Sequence, residues 1–192
     1  MRIIAGEFRG RRLLSPEGFE TRPFTDRAKQ SLFDILTPVL PGATVCDCFA
    51  GTGSLGLESL SRGAVRAVFI ENSRAAVSLL ARNVAALRVE QKCSIIAGDV
   101  FGWARRLEDA ATSGPAPEQY DIVFVDPPYR FVTERADDMR RLAATIGRLM
   151  LSAGGLAVFR HRVENTLALP GLLPCDRRTY GKMAITLMCR AE

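Results

Sequence analysis

The sequence has one histidine, His161, and none of its five cysteines stands in a C-x-x-C pair. Zinc sites are built from such clusters, so no metal site is expected, and a single histidine without a companion nucleophile or metal set points to a structural or solvent-facing role. The odd cysteine count argues against a disulfide framework; Cys46, Cys48, Cys93 and Cys189 fall in strand-like stretches and read as small core residues. No apolar run approaches the roughly 20 residues of a membrane-spanning helix, so no membrane association is expected. The basic N-terminus leads into no signal-type apolar segment, and a cytoplasmic protein is expected. Long repeats and low-complexity segments are also missing. What remains is ordinary for one globular domain: 192 residues, 47% apolar, 24% charged. The net charge of +5 permits a polyanionic partner without requiring one.

The first 14 residues pattern as a short hairpin, with Ile3 and Ile4 opposite Leu13 and Leu14 and a glycine-containing turn between them. Arg9, Arg11 and Arg12 cluster at its far side, and Arg22 follows in a Pro/Gly loop. Residues 1–30 hold seven cations and four acids, an excess of three that suits either an ordinary basic surface or nucleic-acid contact. A helix is expected from an N-cap at Thr25, burying Ala28, Leu32, Phe33 and Leu36 and ending before Pro38. Beyond Gly42 strand and helix patterns alternate, the mark of a parallel sheet covered by helices. Strands are expected at 44–49, 66–71, 93–97, 120–125 and 156–159. Helices follow the first three; the one from about Arg74 buries Val77, Leu80, Ala81, Val84 and Leu87. A helix around Met139–Met150 should stop at Gly154-Gly155, and residues 173–179 and 182–189 should close the chain as a hairpin.

Three stretches carry chemistry. The first strand leads into D-C-F-A-G-T-G-S-L-G, where Gly51, Gly53 and Gly56 fit G-x-G-x-x-G and Glu71 lies 20 residues beyond Gly51. Such a turn, with an acid for a ribose diol, suits a nucleoside ligand. Asp47 would repel a pyrophosphate, whereas S-adenosylmethionine brings an ammonium and a sulfonium. Asp99 after the third strand suits an adenine amino group, with the Val100 amide donating to the ring, or serves as a helix N-cap. The strand Y-D-I-V-F-V ends in Asp126-Pro127-Pro128-Tyr129. Its unbroken apolar run marks a strand buried on both faces, so the acid is held rigidly at the sheet edge where α/β proteins bind ligands. Two prolines offer carbonyls and no N–H, and Tyr129 supplies an aromatic face: a receptor for a planar amine.

These motifs, with R-I-I-A-G-E-F-R-G-R-R-L, T-R-P-F-T-D-R-A-K-Q-S-L-F-D-I-L, F-I-E-N-S, G-D-V-F and the late Y-G-K, resemble the RsmD-type 16S rRNA guanine-N2 methyltransferases. That family is a branch of the amino-group methyltransferases with (Asp/Asn)-Pro-Pro-(Tyr/Phe). The resemblance implies an α/β, Rossmann-like class I methyltransferase fold: a seven-stranded, mostly parallel sheet with helices on both faces, a C-terminal antiparallel hairpin and a small N-terminal β-hairpin extension. It implies a division into residues 1–24 and a methyltransferase domain over 25–192. S-adenosyl-L-methionine, leaving as S-adenosyl-L-homocysteine, would be held by Asp47, Phe49, Ala50, Gly51, Thr52, Gly53, Gly56, Glu71, Asn72, Asp99 and Val100, with no metal. Asp126, Pro127, Pro128 and Tyr129 would act on a guanine extruded from 16S rRNA of the small ribosomal subunit, and Arg9, Arg11, Arg12 and Arg22 would contact its phosphates. A monomer is implied. Three positions depart from the family's habit: Phe24 replaces Thr, Asp34 replaces Asn, and Arg160 stands where an acid is frequent. Alternatives from the residues alone are methylation of adenine-N6 or another exocyclic amine in DNA or RNA, an NAD(P)-dependent oxidoreductase on the same glycine motif, and a non-catalytic RNA-binding module.

Overall fold

The computed structural model describes residues 1–15, 26–165 and 167–191. Thr25, the expected N-cap, together with Arg22 and Phe24, lies outside the described residues. Two compact units emerge, Met1–Gly98 and Asp99–Glu192.

In the first unit three parallel strands, β1 (Thr44–Asp47), β2 (Arg66–Glu71) and β3 (Cys93–Ala97), pair in the order β3-β2-β1. Buried β-branched and aromatic residues such as Val45, Val68, Phe69 and Ile70 explain the pairing, because strands covered on both faces have no polar side to show. Helix α1 (Asp26–Leu36) buries the expected face of Ala28, Leu32, Phe33 and Leu36, and buries Lys29 with it. Helices α2 (Ser54–Ser61) and α3 (Arg74–Leu87) follow β1 and β2. On α3 Ala81 is exposed, and the buried positions include Asn83 instead. Residues 1–15 double back as expected, through Ile3 N–H to the Arg11 carbonyl and Leu13 N–H to the Met1 carbonyl, but only one isolated bridge, Arg2 with Arg12, reaches ladder geometry. Glycine explains the tight fit of this segment on α2. A Cβ on Gly6, where φ is +82°, would come within 1.8 Å of the Ser61 carbonyl oxygen.

The second unit opens with α4 (Val100–Ser113) and β4 (Tyr120–Val125), and continues through α5 (Phe131–Glu134) and α6 (Ala136–Thr145). The helix after α6 becomes a π turn over Ile146–Met150 and gives way to β5 (Leu151–Arg162). It therefore stops before Gly154-Gly155, which lie inside a strand of 12 residues, three times the length that its apolar core suggested; the small residues at 152–155 hid its start. β6 (Leu172–Tyr180) and β7 (Met183–Arg190) form the expected hairpin, with β7 antiparallel to β5. The seven strands run in the order β3-β2-β1-β4-β5-β7-β6, a mixed sheet with antiparallel strands at its C-terminal edge, as the resemblance implied. Cys189 is not a free core residue: it forms a disulfide with Cys175. Hairpin register creates this pair, placing Leu173 opposite Cys189 and an irregularity at Pro174–Asp176, and no sequence spacing announces it. No helix among the described residues is long and apolar enough to cross a membrane.

Candidate active site

Two groups of the sequence-selected residues come together, the glycine loop with Glu71 in the first unit and Asp126–Tyr129 in the second. In the first, β1 delivers the buried Asp47 to the glycine loop. Gly51 and Gly53 have φ of +53° and +88°, the left-handed region that other side chains occupy at a cost. A Cβ on Gly53 would meet Leu80 at 2.4 Å, and one on Gly56 would meet the Phe69 ring at 2.3 Å, so both glycines let α2 seat closely on its neighbours. Gly51 differs. A Cβ there would meet nothing within 4 Å, which leaves open space beside a backbone free of side-chain bulk.

Glu71, at the end of β2, is aimed at this loop. Its Oε2 accepts the Gly51 N–H at 2.8 Å and its Oε1 accepts the Ser73 N–H at 2.7 Å. Each oxygen keeps a further lone pair, the acceptor pattern that a ribose diol needs. Open space over Gly51 and an oriented Glu71 therefore fit a nucleoside cofactor. Phe49 is half-buried, Ala50 and Thr52 are buried, and Asn72 is exposed beside Glu71. Asn83 is the residue that sequence reading missed. Its Nδ2 donates to the Thr52 carbonyl at 2.9 Å and to the Leu14 carbonyl at 3.1 Å, while its Oδ1 accepts the Leu14 N–H at 2.8 Å. An apolar-periodicity test cannot find a buried amide whose partners are 31 and 69 residues away.

In the second unit parallel register does the positioning. Val125 of β4 pairs with Phe159 of β5, so the next residues, Asp126 and Arg160, arrive side by side at the strand ends. Arg160 Nε donates to Asp126 Oδ1. Burial raises the Asp126 carboxyl above its ordinary range, and the Arg160 charge and hydrogen bond pull it part of the way back. Pro127 is buried and Pro128 and Tyr129 are half-buried. Residues 160 and 162 of a strand share a face, and both guanidinium groups meet the Tyr129 ring, Arg160 at 5.5 Å and Arg162 at 5.3 Å from its centroid. His161 takes the opposite face. It stacks on Phe159 at 4.8 Å, and its Nε2 lies 2.9 Å from Thr186 Oγ1, a packed core histidine whose pKa burial lowers.

Asp99 caps α4, accepting the Gly102 N–H on Oδ2 at 3.0 Å, and its Oδ1 lies 3.6 Å from Arg135. Val100 is buried. Arg9, Arg11 and Arg12 are exposed on the N-terminal segment. Among the described residues no group of three or more His, Cys, Asp and Glu side chains is arranged to hold a metal ion.

Residues 1–189 match the family model described as "Conserved hypothetical protein 95". The chain is 43% identical over 132 residues to "Ribosomal RNA small subunit methyltransferase D" of Escherichia coli, a match covering 68% of this chain and 61% of that one. It is 30% identical over 190 residues to "Putative rRNA methyltransferase YlbH" of Bacillus subtilis, covering 97% of each. Among solved structures, "Putative methyltransferase yhhF from Escherichia coli" superposes with a TM-score of 0.81 at 31% identity, covering 99% of this chain and 97% of the other.

Proposed function

This chain belongs to the "Conserved hypothetical protein 95" family, the RsmD-type methyltransferases, and we propose that it transfers a methyl group from S-adenosyl-L-methionine to the exocyclic N2 of a guanine in 16S rRNA. The observation that carries this reading is the oriented Asp126 carboxylate, fixed by Arg160 at the end of a buried strand and followed by a proline carbonyl with no competing N–H. A guanine amine is a weak nucleophile because its lone pair is delocalised into the ring. Hydrogen bonds from its two N–H groups to Asp126 and to the Pro127 carbonyl favour the tetrahedral nitrogen of the transition state and align it for in-line attack.

S-adenosyl-L-methionine supplies an electrophilic methyl group on sulfur when bound. Around it Glu71 would hold the ribose, Asp47 the cationic end, and the Gly51–Gly53 backbone the approach, with Phe49, Ala50, Thr52, Gly56, Asn72, Asp99 and Val100 completing the enclosure. Asp126 ends beside the proton that the amine releases. Because burial already raises its pKa, it can accept that proton late in the reaction. Tyr129 would stack on the extruded base, worth roughly 1–3 kcal/mol, which offsets part of the unstacking cost. Arg9, Arg11, Arg12 and Arg22 would contact phosphates of the surrounding RNA. The substrate is the small ribosomal subunit or its assembly precursor, the compartment is the cytoplasm, and the enzyme acts as a monomer.

The test is incubation of the protein with radiolabelled S-adenosyl-L-methionine and unmodified small subunits, followed by nucleoside analysis. N2-methylguanosine is expected. Label in N6-methyladenosine, or none in RNA, would overturn the assignment.

A further inference from the structure

The N-terminal segment, residues 1–15, closes on itself at one isolated bridge, Arg2 with Arg12, and no strand ladder holds it. Its seat on the first unit relies on side chains of that unit that bond its backbone: Glu58, Ser61, Lys29 and Asn83. Two of these take its ends. Lys29 Nζ donates to the Arg2 carbonyl at 2.8 Å, and Asn83 closes on both backbone groups of Leu14. The same two side chains also bond the residues that flank Gly53. Lys29 donates to Ser54 Oγ at 3.2 Å, on the first residue of α2, and Asn83 donates to the Thr52 carbonyl at 2.9 Å.

Asn83 is the more telling of the two. It is buried on a helix face shared with Ala76, Leu80, Val84 and Leu87, where a polar group is tolerated only when its bonds are made. Both amide hydrogens are used, on the Thr52 and Leu14 carbonyls, and Oδ1 takes the Leu14 N–H. Oxygen and nitrogen therefore cannot exchange places without setting oxygen against oxygen. The Thr52 carbonyl shares a peptide plane with the Gly53 N–H, which donates to the Ala50 carbonyl at 2.8 Å. Asn83 and Ala50 thus hold that plane from its two sides, next to the Gly51 N–H that Glu71 accepts.

Resting on the methyl-donor reading above, we infer that Asn83 is a positioning residue for the S-adenosyl-L-methionine site and links it to the arginine segment, so that docking of residues 1–15 and binding of the cofactor strengthen each other. With the segment docked, Asn83 has its full set of partners, and the Thr52–Gly53 peptide is held in the shape that leaves Gly51 open. With the segment lifted, the amide loses both of its bonds to Leu14 and is free to turn away from Thr52. A cofactor that binds the held loop favours the docked segment, and thermodynamic reciprocity requires the converse. RNA seated on Arg9, Arg11 and Arg12 steadies the same segment and so tightens the donor site.

The test is amide hydrogen exchange of the whole chain with and without S-adenosyl-L-methionine, joined to calorimetry on the same samples. Saturating cofactor should slow exchange of the Leu14 amide, whose acceptor is Asn83, by about fivefold or more. Asn83→Ala should weaken cofactor binding about tenfold and leave Leu14 exchange the same with and without cofactor. Gly6→Ala loosens the segment against the Ser61 carbonyl while Asn83 stays intact, and it should weaken cofactor binding in the same direction. An oligoribonucleotide should raise cofactor affinity about fivefold in the parent and not in Asn83→Ala. A residue that only braced the fold would lower stability and move none of these. Cofactor binding without protection at Leu14, parent-like cofactor affinity in Asn83→Ala or Gly6→Ala, or RNA that binds without raising cofactor affinity would each overturn the linkage alone. No cofactor binding by the parent would overturn it together with the reading it rests on.

Discussion

Each unit takes one carboxylate out of water beside a cation, and the two are finished differently. In the first, Glu58 accepts from four donors: the Ile4 and Ala5 N–H groups at 2.8 and 3.0 Å, Lys29 at 3.0 Å and Arg62 Nε at 2.9 Å. Lys29 is matched as completely, since its three ammonium hydrogens reach the Arg2 carbonyl, Ser54 Oγ and Glu58. In the second, Asp126 accepts from Arg160 on Oδ1, one of the several acceptor positions of a carboxylate. A buried charge whose capacity is consumed by the fold can only hold the fold together. One that keeps capacity at a strand end can meet a substrate.

Breaking the first pair should produce the larger effect. Glu58→Ala strands a buried ammonium and two backbone N–H groups, and truncating one partner of a buried ion pair costs about 3–5 kcal/mol. Urea unfolding followed by circular dichroism should show a loss of that size, and a loss below about 1 kcal/mol would reduce the pair to the rank of a surface contact. For the second pair the damage should fall on chemistry. Asp126→Ala should lower methyl transfer by roughly 10²–10³, the scale of losing one preorganised transition-state hydrogen bond. Calorimetry should still detect S-adenosyl-L-methionine binding, because Glu71 and the glycine loop are untouched. Activity within a few-fold of the parent would remove Asp126 from the mechanism.

The same contrast marks what the sequence could disclose. Strands 66–71 and 120–125 fall where the patterns put them, because a strand buried on both faces is a run of apolar residues that advertises itself; 93–97 falls in place too, although it is a half-buried edge strand. The glycine loop was equally legible, since its φ values demand the residue that is there. The partners of Lys29, Glu58 and Asn83 were not. They sit on helix faces that packing buries, and apart from the Glu58–Arg62 contact their hydrogen bonds span 25 to 69 residues, a relation that no local period encodes. Arg160 was visible only as a departure from the family's habitual acid. Its meaning came from the Val125–Phe159 register, which sets it against Asp126.

That register leads to the subtlest expected effect. Burial favours the protonated form of Asp126, and Arg160 opposes burial, so removing the arginine should raise the carboxyl further. An amine acceptor must be ionised, hence Arg160→Gln should move the acid limb of the kcat/KM profile to higher pH while leaving the alkaline plateau within about tenfold of the parent. Stability should follow the same sign. A carboxyl whose folded pKa exceeds its unfolded 3.8 binds more protons in the native state, so between those two values stability falls as pH rises, and it stays at the lower level above them. Raising the folded value widens that window, and Arg160→Gln should therefore lose more stability than the parent between acid and neutral pH. An acid limb that stays in place would mean that Arg160 only packs against Tyr129, and the difference between a carboxylate finished by the fold and one kept for the substrate would then rest on hydrogen-bond capacity alone.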